Sequence, residues 1–158
     1  MPLRAGISDI VVDTNVFLHA NNPGVKYCLT AQTFLNELQN SAHLLCVDEI
    51  PDFDGPNNKS FIAQEYLEKI SFATSAGIIL YSIIKKNRVK PIGKNRITPH
   101  KRRVCRLIRD KTDRMFLCVT LESDSKLFIS NDFEDFQAGK RTDIKSEFGV
   151  DVKTTSET

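Results

Sequence analysis

The sequence predicts an α/β protein, a three-layer α/β/α sandwich on a mainly parallel central sheet. Residues 8–12, 43–47 and 127–130 form short apolar runs, which are typical of strands buried on both faces of a parallel sheet. Segments of helical length and periodicity separate these runs. Alternation of this kind is typical of a parallel sheet that helices cover on both faces.

The elements of the first half follow from apolar spacing and turn residues. After the first strand, a short helical piece is predicted to open at residues 16–18 and to end near residues 21–24, and an amphipathic helix covers residues 29–38. Residues 51–58 are a turn-rich loop after the second strand. Ser60 is predicted to cap the next helix, whose apolar stripe is Ile62, Tyr66 and Ile70, and a more apolar helix follows over residues 72–84.

The second half begins with a basic stretch, which is predicted to be a loop and then a helix from about residue 100. Thr112 is the expected N-cap of a helix over residues 113–122. After the strand at residues 127–130 we expect a last helical turn at residues 144–148 and an edge strand at residues 149–152. The length suits one domain over residues 1–153, followed by a flexible tail over residues 154–158.

Positive charge is concentrated in one segment. Residues 85–111 contain 12 of the 22 lysines and arginines, opposed there only by Asp110, so the rest of the chain is net acidic. This imbalance suits contact with a phosphate backbone. A solvated basic face without a partner remains the alternative on charge alone.

Targeting and cysteine patterns point to an ordinary globular chain. No apolar run approaches the roughly 20 residues of a membrane span. Asp9 and Asp13 interrupt the early apolar stretch, which is unlike a signal peptide, so we expect a cytoplasmic protein with no membrane partner. The four cysteines lack the spacing of a zinc site and are expected to be free thiols.

Carboxylates stand where parallel strands end and where a helix begins. Asp13 follows the first strand, Asp132 follows the strand at residues 127–130, and Asp113 opens the helix before that strand. Glu65, beside an apolar stripe, is expected to point to the same edge. Ligands of open α/β sheets bind at the carboxyl ends of strands. Converging carboxylates repel one another unless a cation compensates, and Mg²⁺ or Mn²⁺ suits oxygen ligands. For any single acid, a helix cap or a solvated loop end is the alternative.

Three segments resemble the PIN-domain family. Residues 11–18, Val-Val-Asp-Thr-Asn-Val-Phe-Leu, are similar to the family's opening motif of strand, Asp, Thr, Asn and helix start. Residues 113–117 and 127–136 resemble its second half, in which an Asp-led helix precedes a strand ending in Ser-Asn-Asp and then an Asp-Phe. The resemblance extends over about residues 8–152.

The resemblance implies an α/β/α fold and a ribonuclease whose acids bind one or two divalent ions. It implies metal-site and catalytic roles for Asp13, Asp113 and Asp132, and an assisting metal role for Asp135. It also implies that Thr14, Asn15 and Ser130 orient these carboxylates. It also implies a role as the toxin of a toxin–antitoxin pair or as a defence nuclease, with an antitoxin partner and self-association.

The middle of the chain departs from the family pattern, because the loop at residues 51–58 separates the second strand from its helix. Glu65 is chosen as the middle acid of the catalytic and metal set because it lies on that helix, with Glu49 and Glu68 as fallbacks. Asp48 and Asp110 are expected to be structural or to lie on the rim.

The basic segment is longer and more charged than the usual PIN connection, and we interpret it as an RNA-binding arm. Arg102, Arg103 and Arg106 are the expected phosphate contacts on a helix, and Lys85 and Lys86 are further nucleic-acid-binding candidates.

Three other classes of protein share part of this pattern. A haloacid-dehalogenase-like phosphatase needs a second Asp two positions after the first, where Asn15 stands, and a dinucleotide-binding domain needs a G-x-G-x-x-G motif that is absent. A PIN-like nucleic-acid-binding or scaffold protein with little catalysis stays open, because the same fold serves both roles.

Overall fold

The computed structural model describes residues 8–132 and 136–158. Five strands form one parallel sheet in the order β3-β2-β1-β4-β5. Their bounds are Asp9–Val12 (β1), Leu44–Asp48 (β2), Val89–Ile92 (β3), Leu127–Ile129 (β4) and Asp151–Lys153 (β5). Helices surround this sheet, and the predicted three-layer α/β/α fold with a parallel sheet is confirmed.

Seven helices connect the strands within the part of the chain that is described. They are Thr14–Ala20 (α1), Cys28–Gln39 (α2), Phe61–Lys69 (α3), Ser75–Lys85 (α4), Lys94–Leu107 (α5), Lys111–Glu122 (α6) and Ala138–Phe148 (α7). Helices α1, α2 and α4 pack on one another, and α5 packs on α6. Ser60 caps α3 as predicted, since its hydroxyl accepts the N–H of Ala63.

The chain changes direction across the sheet next to β1. It passes from β1 outward to β2 and β3, and then returns to place β4 on the other side of β1. Val12 is in register with Ile129, and the N–H of Asp13 donates to the carbonyl of Ile129 over 2.9 Å. The residues that follow β1 and β4 therefore lie side by side, at the position where open parallel sheets bind ligands.

The core explains why β1 is apolar throughout. Ile10, Val11 and Val12 have no exposed surface, as expected for a central parallel strand covered on both faces. A row of aromatic rings continues the core toward β4, with Tyr66 beside Phe17 and Phe116, and Phe128 beside Phe116 and Phe136.

The basic segment differs from its prediction as a loop and late helix. It contains strand β3, and α5 begins at Lys94 rather than near residue 100, with Pro99 inside the helix. Strand β3 is an edge strand, so there is no second neighbouring strand to which the N–H that Pro91 lacks would donate. The prediction that Thr112 is the N-cap of α6 is also wrong. Asp110 caps this helix, because its carboxylate accepts from the N–H groups of Thr112 and Asp113.

The end of the chain is more ordered than predicted. Helix α7 has 11 residues instead of a single turn, and β5 supplies the expected edge strand. The predicted flexible tail is docked, since Thr154 and Thr155 are buried and the N–H of Thr155 donates to Oδ1 of Asn131 over 3.0 Å. Polar side chains make this docking, so hydrophobic patterning does not reveal it.

None of the helices described in residues 8–132 and 136–158 is long and apolar enough to cross a membrane. All four cysteines are free, as predicted.

Candidate active site

Asp13 lies directly after β1 and caps α1. Its Oδ1 accepts the N–H of Asn15 at 3.3 Å, which satisfies one of the free N–H groups at the start of the helix. Its Oδ2 accepts the side-chain amide of Asn15 at 3.1 Å and the hydroxyl of Ser130 at 2.8 Å. These bonds fix the carboxylate at the carboxyl end of the central strand.

Ser130 connects the two strand ends of the site. While its hydroxyl donates to Asp13, the same oxygen accepts the backbone N–H of Asp132 at 3.1 Å. The backbone N–H of Asn131 donates to Oδ1 of Asn15 over 3.2 Å, which ties the segment after β4 to α1. Asn15 and Ser130 thus hold the position of Asp13 and of the chain leading to Asp132.

Glu65 reaches the site because its neighbour Tyr66 anchors α3. The ring of Tyr66 is fully buried beside Phe17, and its hydroxyl donates to the carbonyl of Val12, the residue before Asp13. This contact places the C-terminal half of α3 over the end of β1. Glu65, whose side chain is 12% exposed, lines the cavity at this end of the sheet.

Asp113 enters from the first turn of α6, where the helix dipole favours negative charge. It is 7% exposed. Asp110 precedes it as the helix cap and also reaches the cavity wall.

A cavity of about 270 Å³ at this edge of the sheet brings the predicted acids together. Four of them line it along with the orienting residues Thr14 and Asn15: Asp13, Glu65, Asp113 and Asp132. These acids come from four segments that are far apart in the sequence: the end of β1, α3, α6 and the end of β4. The fifth predicted metal-site acid, Asp135, lies outside the described residues.

The pKa of Asp13 reflects its burial beside other acids. Burial raises the pKa of Asp13 to about 6; the hydrogen bonds from Ser130 and from the backbone of Asn15 oppose this rise, and the negative charges of Asp132 and Glu65 add to it. Like charges that lose water raise the pKa of a carboxyl group in this way. A cation in the cavity would reverse the effect.

The donor set fits a hard divalent cation held through water as well as through protein oxygens. No three His, Cys, Asp or Glu side chains in residues 8–132 and 136–158 are placed to ligate one ion together. Mg²⁺ is commonly held by one or two carboxylates with its remaining positions filled by water or phosphate. The hydroxyl of Thr14 is buried at the cavity and has no hydrogen-bond partner among the described groups, which suits a bond to such a water.

The other acids considered from the sequence lie elsewhere. Asp48 is structural, because its carboxylate accepts the N–H groups of Phe61 and Ile62, both at 2.8 Å, at the start of α3. Glu68 is exposed and accepts the side-chain amide of Gln64. Glu49 is half-buried after β2 and does not line the cavity. Of the three candidates for the middle acid, the cavity contains Glu65.

The basic candidates separate into groups. Arg102 and Arg106 are exposed one turn apart on α5, and in sequence order this line of exposed arginines ends at Arg109, which follows the helix and directly precedes Asp110 of the cavity. Arg103 faces away, with its guanidinium 5.0 Å from the ring centroid of Phe148 and a donor to the carbonyl of Glu147.

Lys85 and Lys86 lie at the end of α4, just before β3 begins. This is the amino-end edge of the sheet, opposite the cavity. Lys85 also pairs with Asp54 over 3.4 Å.

Sequence reasoning missed the basic member of the cavity. Lys69 lines it, with Nζ 2.7 Å from Oε1 of Glu65. The signal was the four-residue spacing of Glu65 and Lys69 on one helix, although such pairs are common on exposed helices.

No protein-family model matches the chain, and no curated protein matches its sequence.

Proposed function

We propose that this chain is a divalent-metal-dependent endoribonuclease of the PIN type, with Mg²⁺ or Mn²⁺ as its cofactor. The observation that carries the proposal is the convergence of Asp13, Glu65, Asp113 and Asp132 on one cavity at the switch point of a parallel sheet. The acids of this cavity outnumber its one lysine, Lys69, and the excess negative charge is costly to bury, for which function is a frequent reason.

The residues have distinct parts in this proposal. Asp13 and Asp132 would hold the ion directly, and Asp113 and Glu65 would complete its surroundings through water. Bound there, a divalent ion supplies an activated water and offsets the charge on the phosphate under attack. Asn15 and Ser130 keep Asp13 in one orientation, as outer groups do around metal ligands.

The line of Arg102, Arg106 and Arg109 supports RNA as the substrate. These side chains are exposed, and the C-terminal end of α5 is followed within three residues by Asp110, which lines the acid cavity. Arginine is well suited to phosphate contacts because its planar guanidinium donates two parallel hydrogen bonds. We therefore assign to this line the approach of the RNA backbone, without sequence readout.

The test is a cleavage assay on single-stranded RNA, structured RNA and single-stranded DNA, with and without Mg²⁺ or Mn²⁺. We expect cleavage that requires the metal, that chelator stops, and that Asp13→Asn and Asp132→Asn each reduce by about 100-fold or more, as loss of a principal catalytic group does. Asp143→Asn, an exposed change of the same kind on α7, should retain full activity. Cleavage that persists in excess chelator would refute metal dependence.

A nucleic-acid-binding or scaffold role without catalysis is the second candidate. The observation that favours it is that no three acids among the described residues are placed to ligate one ion. Calorimetric titration with Mn²⁺ separates the two functions. The nuclease requires binding that Asp13→Asn weakens, whereas a scaffold predicts no binding at the acids.

A further inference from the structure

The acid cavity contains one positive charge, in an ion pair whose acidic partner is largely buried. Lys69 lies on the last turn of α3 and pairs with Glu65 over 2.7 Å. The side chain of Glu65 is 12% exposed, whereas that of Lys69 is 53% exposed. The ammonium thus reaches the cavity from the solvent side, on a stem that neighbouring side chains do not enclose.

The surroundings of Lys69 keep it charged. The hydrogen bond to Glu65 raises the pKa of Lys69; partial burial opposes this, and the negative charges of Glu65, Asp13 and Asp110 add to the rise. Lys69 is therefore a permanent cation facing several carboxylates at neutral pH. Its charge acts on the whole cavity and not only on its ion-pair partner.

A phosphodiester entering this cavity meets carboxylates on several sides. Its negative charge increases when water attacks, so a donor aimed at the phosphate oxygens stabilises the transition state more than the ground state. Lysine suits this task as a compact point charge on a flexible stem with three donors. Glu65 Oε1 accepts from Lys69, which leaves Oε2 for other contacts.

We propose that Lys69 is a substrate-contacting residue of this site, whose ammonium donates a hydrogen bond to a non-bridging oxygen of the phosphate under attack. The inference rests on the proposed function and extends it to a group that the acid motif does not contain. Lys69 neither gains nor loses a proton in this role. The attacking water forms the new P–O bond and releases a proton to solvent, and the leaving oxygen takes the electrons of the bond that breaks and a proton from solvent.

The competing interpretation is that Lys69 only holds Glu65 in place. It predicts that removal of the ammonium disturbs the acids and weakens divalent-ion binding. Our proposal predicts instead that phosphate binding and turnover suffer while the ion binds as before. The two are separated by measuring both ligands on the same variants.

The experiment compares wild type with Lys69→Met, Lys69→Arg and the control Lys145→Met. Lys145 is a matched control, because it is 55% exposed and pairs with Asp151 over 2.9 Å, away from the acid cavity. Both lysine side chains are about half exposed, so all four proteins should fold. Mn²⁺ affinity is measured by calorimetry, and uridine 5′-monophosphate is titrated in saturating Mg²⁺ by NMR.

For Lys69→Met we expect Mn²⁺ affinity within about threefold of wild type and affinity for the nucleotide lower by about tenfold, as for loss of one charge-assisted hydrogen bond. On RNA, its kcat should fall by about 10- to 100-fold with a smaller change in KM. Lys69→Arg should recover most of the nucleotide affinity, and Lys145→Met should match wild type in every assay. A tenfold loss of Mn²⁺ affinity in Lys69→Met, or unchanged nucleotide affinity, overturns the proposal.

This design distinguishes the two possible failures. If wild type cleaves no nucleic acid, the proposed nuclease activity fails, yet weaker nucleotide binding by Lys69→Met alone still supports the phosphate contact. If wild type cleaves RNA and Lys69→Met does so equally well, the nuclease proposal stands and the role of Lys69 is refuted.

Discussion

Asp9 and Asp13 are buried carboxylates at the two ends of β1, and their pKa values are shifted in opposite directions. At the amino end of β1, burial alone would raise the pKa of Asp9, but Lys90 and the N–H groups of Asp124 and Ser125 together lower it to about 2. At the other end, burial raises the pKa of Asp13 to about 6, and nearby acids add to the rise. Asp9 is a compensated structural anion, whereas Asp13 forms no salt bridge within residues 8–132 and 136–158.

Asp9 should stabilise the fold above pH 4. Its pKa in the folded state lies below the value of 3.8 expected when unfolded, so its contribution is fully present above about pH 4 and is lost as the pH falls toward 2. Asp9→Asn should therefore lower the free energy of unfolding by about 2 kcal/mol at pH 7, and the deficit should shrink toward pH 2. Urea unfolding at both pH values measures this.

The control for Asp9 is Asp124→Asn, which removes the 84% exposed partner of Lys90. An exposed pair contributes about 0–1 kcal/mol, so this variant should stay close to wild type. A deficit of Asp9→Asn that is as large at pH 2 as at pH 7 would contradict the electrostatic explanation.

Asp13 should have the opposite effect on stability. Its pKa is raised above the unfolded value of 3.8, so the folded protein prefers the protonated group and stability falls as pH rises from about 4 through 6. The loss approaches about 3 kcal/mol once the group is ionised. Asp13→Asn should flatten this decline in thermal unfolding between pH 4.5 and 7.5, whereas the exposed Asp143→Asn should keep it.

Divalent ions provide a second readout for the same residue. Because a ligand that binds only the folded state stabilises it, Mn²⁺ at pH 7.5 should raise the Tm of wild type and not that of Asp13→Asn. Equal shifts in both proteins would mean that Mn²⁺ binds away from Asp13.

The site residues differ in how far they are predictable. Asp13, Asp113 and Asp132 were placed from their positions next to strands and a helix start, and all three line the cavity. Glu65 was less certain, because the loop at residues 51–58 obscured which turn of α3 reaches the sheet edge. Lys69 gave no distinctive signal, since its spacing from Glu65 is also that of an ordinary solvated pair.

At the scale of elements, α5 and α6 form a helical hairpin with two kinds of basic side chain. Arg96 and Arg103 have internal partners, in Glu122 and at the end of α7 respectively. The line of Arg102, Arg106 and Arg109 is exposed. A high count of basic residues in a segment therefore overstates the number that are available to a nucleic acid.

Salt dependence tests this division. Changing Arg102, Arg106 and Arg109 together to Gln should weaken RNA binding and reduce the slope of log K against log salt by about 2, since each phosphate contact to a single strand contributes about 0.7. Arg103→Gln should leave the slope nearly unchanged, because its guanidinium packs on Phe148. Binding is measured by fluorescence anisotropy with chelator present, so that cleavage does not interfere. An unchanged slope in the triple variant would remove the proposed RNA path.

Strand β3 shows why an element can escape prediction. It has four residues, of which Lys90 is charged and Pro91 lacks an N–H, and neither is typical of a strand. A contact outside the strand explains a lysine at this position: the ammonium of Lys90 compensates the charge of Asp9 over 2.7 Å. A long-range ion pair of this kind leaves no local pattern in the sequence.

At the scale of the whole molecule, the candidate site is a product of strand order. The alternation of strands and helices predicted the fold class, but it did not determine that β4 lies beside β1 rather than beyond β3. That placement brings Asp132 to Asp13 through Ser130. The identity of the acids was therefore readable from sequence, whereas their convergence depended on long-range topology.

The docking of the last residues has a practical consequence. Thr155 donates to Oδ1 of Asn131 through both its N–H and its hydroxyl, and Asn131 directly precedes Asp132. A tag fused after Thr158 would disturb a segment that contacts Asn131, the residue before Asp132 of the candidate site. Recombinant protein for metal titrations is therefore better purified through a fusion at the other terminus.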